Sequence, residues 1–172
     1  RPIIGHEIGQ WTFYPNFDEI KKYTGVLKAK NFELVRDDLQ SKGMLDEAQA
    51  FFHATGQQAI LLYKEEIENL LRTPGYAGFS LLDLHDYPGQ GTALIGLLDP
   101  FWDSKGFIKP EEHKKYCGST VPLIRIPKRT YTTTEGFSAK IELAHFGPAD
   151  LSDVQPEWSI RSELVKPFCG TR

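Results

Sequence analysis

Two short apolar runs along the chain each end in polar side chains. Residues 2–7 end in Glu7, and residues 76–86 end in His85-Asp86. Runs of this kind are typical of buried parallel strands that reach the functional edge of a sheet. The pattern therefore predicts two strands of a parallel sheet, with polar groups at their carboxyl ends.

Between these runs, apolar residues recur at helical spacing. The spacing predicts one helix over residues 31–54, with a break at Lys42-Gly43, and a second helix over residues 57–72. Gly56 is the predicted stop between them. Three carboxylates of the second helix are expected to face water: Glu65, Glu66 and Glu68.

The remaining segments of this half lack a sustained period. Residues 8–30 are predicted to form a long aromatic loop with one helical turn at 18–23. A glycine-rich loop follows the second strand from residue 88 and extends to Trp102 and Gly106. A short helix is predicted over about residues 110–116. The order of strand, helices and strand is that of an α/β fold.

After Gly118 the pattern changes to the alternation of half-buried β-strands. Three stretches are predicted to be strands: 119–127, 137–146 and 157–165. In the second stretch one face is expected to carry the apolar side chains, namely Phe137, Ala139, Ile141 and Leu143, with His145 a possible fifth member. We therefore expect an α/β domain over residues 1–120 and the start of a β-sandwich domain over residues 121–172.

Composition narrows the function classes. The 172 residues are 40% hydrophobic and 25% charged, with a net charge of −3, as in an ordinary globular protein. A nucleic-acid partner is disfavoured because the sequence has no stripe of lysine and arginine. The apolar runs are too short for a membrane span.

The sequence begins at Arg1 without an initiator methionine or a signal-peptide pattern. Two parallel strands cannot make a closed sheet, so we expect the chain to be part of a longer polypeptide. Cys117 and Cys169 are expected to be unpaired thiols. A single bridge between them is the alternative if the protein is exported.

Glu7 is the main candidate for catalysis. Barrels of the α/β type hold their catalytic groups at the carboxyl ends of strands, and a carboxylate there can attack the anomeric carbon of a sugar. The aromatic residues that follow suit a sugar, because aromatic rings stack on its C–H faces. The alternative is a structural hydrogen-bond acceptor or an exposed charge. His6 is expected to point away from Glu7, since side chains alternate along a strand.

Six further residues are candidates for binding the sugar: Trp11, Tyr14, Asn16, His85, Asp86 and Trp102. For Asp86 a structural role in a turn is an equal alternative, and the aromatic residues could instead anchor loops. No histidine spacing indicates a metal site, and no glycine-rich loop indicates a phosphate site. We expect no cofactor.

These segments resemble a known enzyme family. Residues 2–9 (PIIGHEIG) look like the nucleophile strand of glycoside hydrolase family 2 and its barrel relatives. Residues 78–86, 96–99 and 104–106 are similar to the eighth strand of that family and the loop that closes its barrel. Residues 137–143 and 156–160 resemble the immunoglobulin-like sandwich that follows the barrel.

The resemblance implies the C-terminal portion of a (β/α)8 TIM barrel followed by part of an immunoglobulin-like sandwich. It implies a β-glycosidase that retains configuration, with Glu7 as nucleophile, a carbohydrate as substrate and a periplasmic or extracellular location. The acid/base carboxylate of the family belongs to an earlier strand, so this chain is expected to need the remainder of the parent enzyme for activity. The alternative is a non-catalytic carbohydrate-binding or assembly module.

Overall fold

The structure, a computed structural model, describes residues 1–87 and 93–160 and the backbone of residues 168–171. The chain divides into two compact units, Arg1–Gly118 and Ser119–Arg172. Part of the glycine-rich loop, residues 88–92, and the end of the predicted third β-stretch, residues 161–165, lie outside the described residues. In the described part, no helix has the length and apolar character that crossing a membrane requires.

The first unit is mixed α/β. Its strands and α-helices are β1 (Ile3–Ile8), α1 (Lys30–Ser41), α2 (Ala48–Leu71), β2 (Tyr76–Leu81) and α3 (Pro110–His113), and its 3₁₀ helices are Phe17–Lys22 and Leu45–Glu47. β1 and β2 pair in parallel, with Ile8 opposite Leu81. Parallel neighbours need a long crossover connection, and the segment containing α1 and α2 provides it.

Helix α2 packs on this sheet through side chains spaced three and four residues apart, which lie on one face of a helix. Ile67 is completely buried in a cluster with Ile8, and Leu70 packs against that cluster. The methyl groups of Leu70 also lie close to Gly5 of β1. The apolar face of α2 therefore fixes the helix along β1.

A second cluster joins the loop after β1 to the helices. Phe13, Phe32, Phe52 and Tyr63 are buried together, and each aromatic side chain removed from water contributes about 1.5–3 kcal/mol. The segment predicted to be an aromatic loop thus supplies part of the core. Its backbone is tied down as well, because the Phe13 N–H donates to the Leu94 carbonyl.

Several predicted element boundaries are wrong. Helix α2 is continuous from Ala48 to Leu71, so Gly56 does not stop a helix. Gly56 lies inside the helix, where the ring of Phe107 occupies the space that a Cβ would need. Strand β2 ends at Leu81 rather than at residue 86, and α3 ends at His113.

The prediction that the α2 carboxylates face water is wrong for Glu68. Its side chain is buried and accepts a hydrogen bond from the Arg72 guanidinium at 3.1 Å. Lys64 pairs with the other carboxylate oxygen at 2.5 Å. A charge can be buried at this position because cations one helical turn away on both sides compensate it.

The second unit contains two antiparallel pairs. The strands β3 (Thr120–Arg125) and β4 (Lys140–His145) form one pair, and β5 (Glu157–Ile160) and β6 (Phe168–Thr171) form the other. Val121 and Leu123 are buried on one face of β3. The face predicted to gather apolar side chains on β4 is open to solvent, since Ile141 and Leu143 are more than 40% exposed.

Candidate functional site

Glu7 lies at an irregular point of β1. Between the paired residues Gly5 and Ile8, β1 has two residues where β2 has one, which makes a β-bulge. Glu7 occupies this bulge with a φ of 54°, in the left-handed region that costs a non-glycine residue about 1–2 kcal/mol. Bulges redirect side chains and are common beside active sites. The Glu7 side chain is 54% exposed.

The bulge also changes the direction of His6. The imidazole Nδ1 lies 3.8 Å from a carboxylate oxygen of Glu7, so the prediction that His6 points away is wrong. Strict alternation requires regular strand dihedrals, and the left-handed residue breaks it. The exposed His6 imidazole thus lies beside the Glu7 carboxylate.

The turn after Glu7 is held from helix α2. The Gly9 N–H and the Trp11 indole N–H both donate to one carboxylate oxygen of Glu66, at 3.0 and 2.8 Å. Gly9 has a φ of 85°, and the ring of Tyr63 fills the position where a Cβ would stand. Only glycine fits this turn. Glu66 was predicted to face water, and this holds only in part, because the residue is half-buried and accepts both of these hydrogen bonds.

His85 and Trp102 meet beyond the end of β2. Their ring centroids are 4.6 Å apart at an angle of 55°, and the imidazole Nδ1 lies 2.6 Å from the Asp86 carbonyl oxygen. Trp102 has a φ of 69° and is 61% exposed. The structure therefore brings together two of the predicted sugar-binding residues and presents the indole to solvent.

Asp99 organises the loop that carries Trp102. One oxygen of the buried Asp99 carboxylate accepts the Phe101 and Asp103 N–H groups at 2.8 and 3.0 Å. The other oxygen pairs with Lys22, which also reaches Asp103. The loop is thus fastened to the 3₁₀ helix Phe17–Lys22, and its geometry is set by a carboxylate rather than by core packing.

Asp86 lies in the interior. Its side chain is 2% exposed, and one oxygen accepts from Lys105 at 2.7 Å and from the Gly96 N–H at 2.8 Å. Burial raises the pKa of Asp86, and the Lys105 ammonium opposes this shift. The enclosed carboxylate therefore has the structural role that was the alternative for Asp86, because it joins three points of the long segment between β2 and α3.

A second buried carboxyl group lies near this pair. Glu19, on the 3₁₀ helix, is 4% exposed. Burial, followed by the charge of Asp86, raises the pKa of Glu19 to about 7. Oxygens on both Glu19 and Asp86 are buried without a hydrogen-bond partner among the described atoms. The interior thus concentrates carboxyl groups around Lys105, whose own pKa is lowered by burial.

Tyr14 and Asn16 lie at the contact between the aromatic loop and the amino-terminal half of α2. The Tyr14 ring meets Phe51 edge-on at 5.4 Å, and its N–H donates to Thr55 Oγ1. Asn16 caps the 3₁₀ helix by accepting the Asp18 N–H. These contacts anchor a loop, and they do not join either residue to the Glu7 turn or to the His85–Trp102 pair.

The predicted residues therefore fall into separate groups. Gly9, two residues after Glu7, is linked to Trp11 through Glu66. His85 contacts Trp102, and Asp86 is internal. Sequence reasoning missed Glu66, although its position carried a signal. A residue three after Tyr63 and four before Leu70 shares their helical face, so a glutamate there needs a partner within the fold.

No group of three or more histidine, cysteine or acidic side chains in the described residues has the arrangement of a metal site. Cys117 is a free thiol, and the side chain of Cys169 lies outside the described part. No protein-family model matches the chain. No curated protein matches it either.

Proposed function

We propose that this chain belongs to a retaining β-glycosidase that resembles glycoside hydrolase family 2, and that Glu7 is its nucleophile. One observation carries the proposal. Glu7 is held in a left-handed conformation at a bulge, at the carboxyl end of a parallel strand, with its carboxylate accessible. A costly backbone conformation persists where the surrounding structure fixes it, and such residues cluster at active sites.

The chemistry follows from an accessible carboxylate. The Glu7 carboxylate attacks the anomeric carbon as the leaving-group oxygen takes a proton, and a glycosyl-enzyme ester forms. Water then attacks the same carbon and releases the sugar with its configuration retained. Protonating the leaving group requires a second carboxyl group about 5–5.5 Å from the first. We assign that group to polypeptide outside this chain.

The exposed aromatic groups suit the sugar-binding side of the reaction. Trp11 follows the nucleophile and Trp102 adjoins His85, and both indoles are open to solvent. An indole offers an apolar face to the C–H groups of a pyranose and a polar edge to its hydroxyl groups. Trp11 lies beyond the end of β1, and Trp102 contacts His85 beyond the end of β2, so the proposal treats the two indoles as separate candidate contacts for a sugar.

The proposal also includes a larger fold, in which this unit completes a barrel and the second unit begins a β-sandwich. Parallel sheets are normally covered on both faces, whereas Ile3 and Ile4 of β1 are 53% and 64% exposed. The described sheet has two strands, and its edges offer unpaired backbone groups. Further strands of the same polypeptide would bury the isoleucines and pair those edges.

Covalent labelling tests the nucleophile. The intact protein is incubated with a panel of 2-deoxy-2-fluoro-β-glycosyl fluorides (glucosyl, galactosyl, mannosyl and glucuronyl), and the labelled peptide is sequenced by mass spectrometry. The label is expected on Glu7. The Glu7→Gln variant should lose at least about 10³-fold in kcat, since removing a covalent nucleophile removes several kcal/mol of catalysis. Glu111→Gln, which removes an exposed carboxylate on α3, is the control and should retain activity.

Two outcomes would overturn the proposal. The first is a label on another carboxylate. The second is binding of sugars without any covalent label across the panel, which would favour a non-catalytic carbohydrate-binding module.

A further inference from the structure

Glu66 connects two parts of the proposed site with one oxygen atom. It lies on α2, far from Glu7 in sequence, and it is half-buried. Its Oε2 accepts the Gly9 N–H, two residues after the nucleophile, and the Trp11 indole N–H. Hydrogen bonds to a carboxylate are among the stronger ones in proteins. A single side chain thus restrains both the turn that follows Glu7 and an exposed aromatic ring.

The same turn is restrained on its other sides. The ring of Tyr63 lies against Gly9, and the Leu82 N–H of the neighbouring chain segment donates to the Ile8 carbonyl at 2.8 Å. Ile8 and Gly9 are therefore held by a strand contact, a ring contact and the Glu66 carboxylate. Glu7 immediately precedes these two residues. The left-handed Glu7 is therefore followed directly by two restrained residues.

We propose that Glu66 is a positioning residue that fixes the direction of the Glu7 carboxylate and the plane of the Trp11 indole. This inference rests on the proposed function of Glu7 as nucleophile. Glu66 does not touch the sugar in this scheme. It acts through the Gly9 backbone on the attacking group and through the indole N–H on the aromatic platform.

Helix docking does not depend on this carboxylate. Ile67 and Leu70 bury their side chains against β1 next to Glu66, and Tyr63 is completely buried one turn earlier. This apolar face is sufficient to hold α2 on the sheet. Variants of Glu66 should therefore fold, with a far-UV circular dichroism spectrum like that of the wild type. The structural change should be confined to the turn after Glu7.

The test uses the intact protein and whichever 2-fluoroglycosyl fluoride of the panel labels it. Inactivation kinetics separate the labelling rate at saturation from the concentration that gives half that rate. Glu66→Ala is expected to lower the saturated rate by about 10- to 100-fold, because misplacing a reacting group by about 1 Å can cost 10²-fold. Glu66→Gln keeps an acceptor oxygen without the charge, so it should restore most of the rate.

Two further variants assign the effects. Trp11→Phe keeps an aromatic ring but has no N–H donor, so it should raise the half-saturation concentration and leave the saturated rate near that of the wild type. Glu65→Gln makes the same change as Glu66→Gln one position away. Glu65 accepts a hydrogen bond from the Arg72 guanidinium, so this control should behave as the wild type.

The outcomes distinguish the two proposals. If Glu7 is labelled in the wild type and Glu66→Ala is labelled at the same saturated rate, the positioning role is refuted and the nucleophile assignment stands. If the wild type takes no label from any member of the panel, the proposed function fails and this role fails with it. If Glu66→Ala does not fold, Glu66→Gln and Trp11→Phe provide the test. If both variants lower the saturated rate by the same factor, the loss arises through Trp11, and a separate action of Glu66 on Glu7 is refuted.

Discussion

Replacing Lys105 by methionine tests whether burial controls the strength of an ion pair in this fold. The Lys105 ammonium lies 2.7 Å from an Asp86 oxygen, and the two side chains are 3% and 2% exposed. The ammonium also lies 4.1 Å from the centre of the Phe13 ring. Methionine keeps the apolar stem over that ring and removes the charge, so the variant isolates the electrostatic contribution.

The expected loss of stability is large because the Asp86 carboxylate remains buried without its cation. Removing one member of a buried pair typically costs about 3–5 kcal/mol, since the remaining charge is uncompensated in a medium of low polarity. The loss of stability also includes an effect on Glu19, because the Lys105 charge opposes the rise of the Glu19 pKa. We therefore expect Lys105→Met to lower the free energy of unfolding of the first unit by about 4 kcal/mol.

The matched control is Lys42→Met. Lys42 pairs with Asp38 at 2.6 Å, so the distance is the same within 0.1 Å, but these side chains are 59% and 61% exposed. An exposed pair contributes about 0–1 kcal/mol. The urea dependence of hydrogen–deuterium exchange in peptides from α2 and β2 of the intact protein gives the free energy of unfolding for both variants.

Lowering the pH adds a second check. Without Lys105, the pKa of the buried Asp86 carboxyl rises further above its unfolded value, so the folded variant keeps a proton that the unfolded chain releases. The unfolding free energy of Lys105→Met should then fall as pH rises. The gap to the wild type should narrow as pH is lowered from 7 to 5. Equal losses in Lys105→Met and Lys42→Met would refute the reasoning from burial.

Two further predictions concern the same interior. Gly96→Ala should destabilise the first unit by about 3 kcal/mol or more, because a Cβ would overlap the backbone of His85 and Asp86 and overpacking against backbone has no low-cost relaxation. Gly25→Ala, where no atom stands within 4 Å of the new Cβ, should be neutral by the same exchange measurement. The Glu19 pKa of about 7 in the folded protein exceeds its value of about 4.5 in the unfolded chain. At low pH the carboxyl group is protonated in both the folded and the unfolded state. As pH rises from about 4.5 to 7, only the unfolded chain releases the proton readily, so the free energy of unfolding falls. Glu19→Gln should therefore gain on the wild type by about 2–3 kcal/mol between pH 5 and 8, and parallel pH profiles would contradict the burial of that carboxyl group.

Residue patterns were a good guide where structure is local. The apolar spacing predicted strands at residues 2–7 and 76–86 with helices between them, and the structure has strands at Ile3–Ile8 and Tyr76–Leu81. The pattern changes after Gly118, where the first unit ends. The polar end of the first run drew attention to Glu7. These features depend on a period of two or 3.6 residues, which a sequence displays directly.

Local patterns gave wrong predictions where a residue distant in sequence determines the environment of a side chain. Gly56 looks like a helix stop, but Phe107 packs on it and the helix continues. Asp86 looks like a residue at a functional edge, but Lys105 and Gly96 enclose it. In each case the deciding neighbour is separated along the chain, so no window of a few residues contains both partners.

The sequence by itself determined the order of strands and helices in the first unit, and it singled out Glu7 near the end of the first strand. Only the tertiary structure decided that Glu7 occupies a bulge beside His6, that Glu66 turns inward to hold the next residues, and that Glu19 is buried. The physical reason is that periodicity specifies which face of an element is apolar. It does not specify which polar groups meet when those faces are packed together.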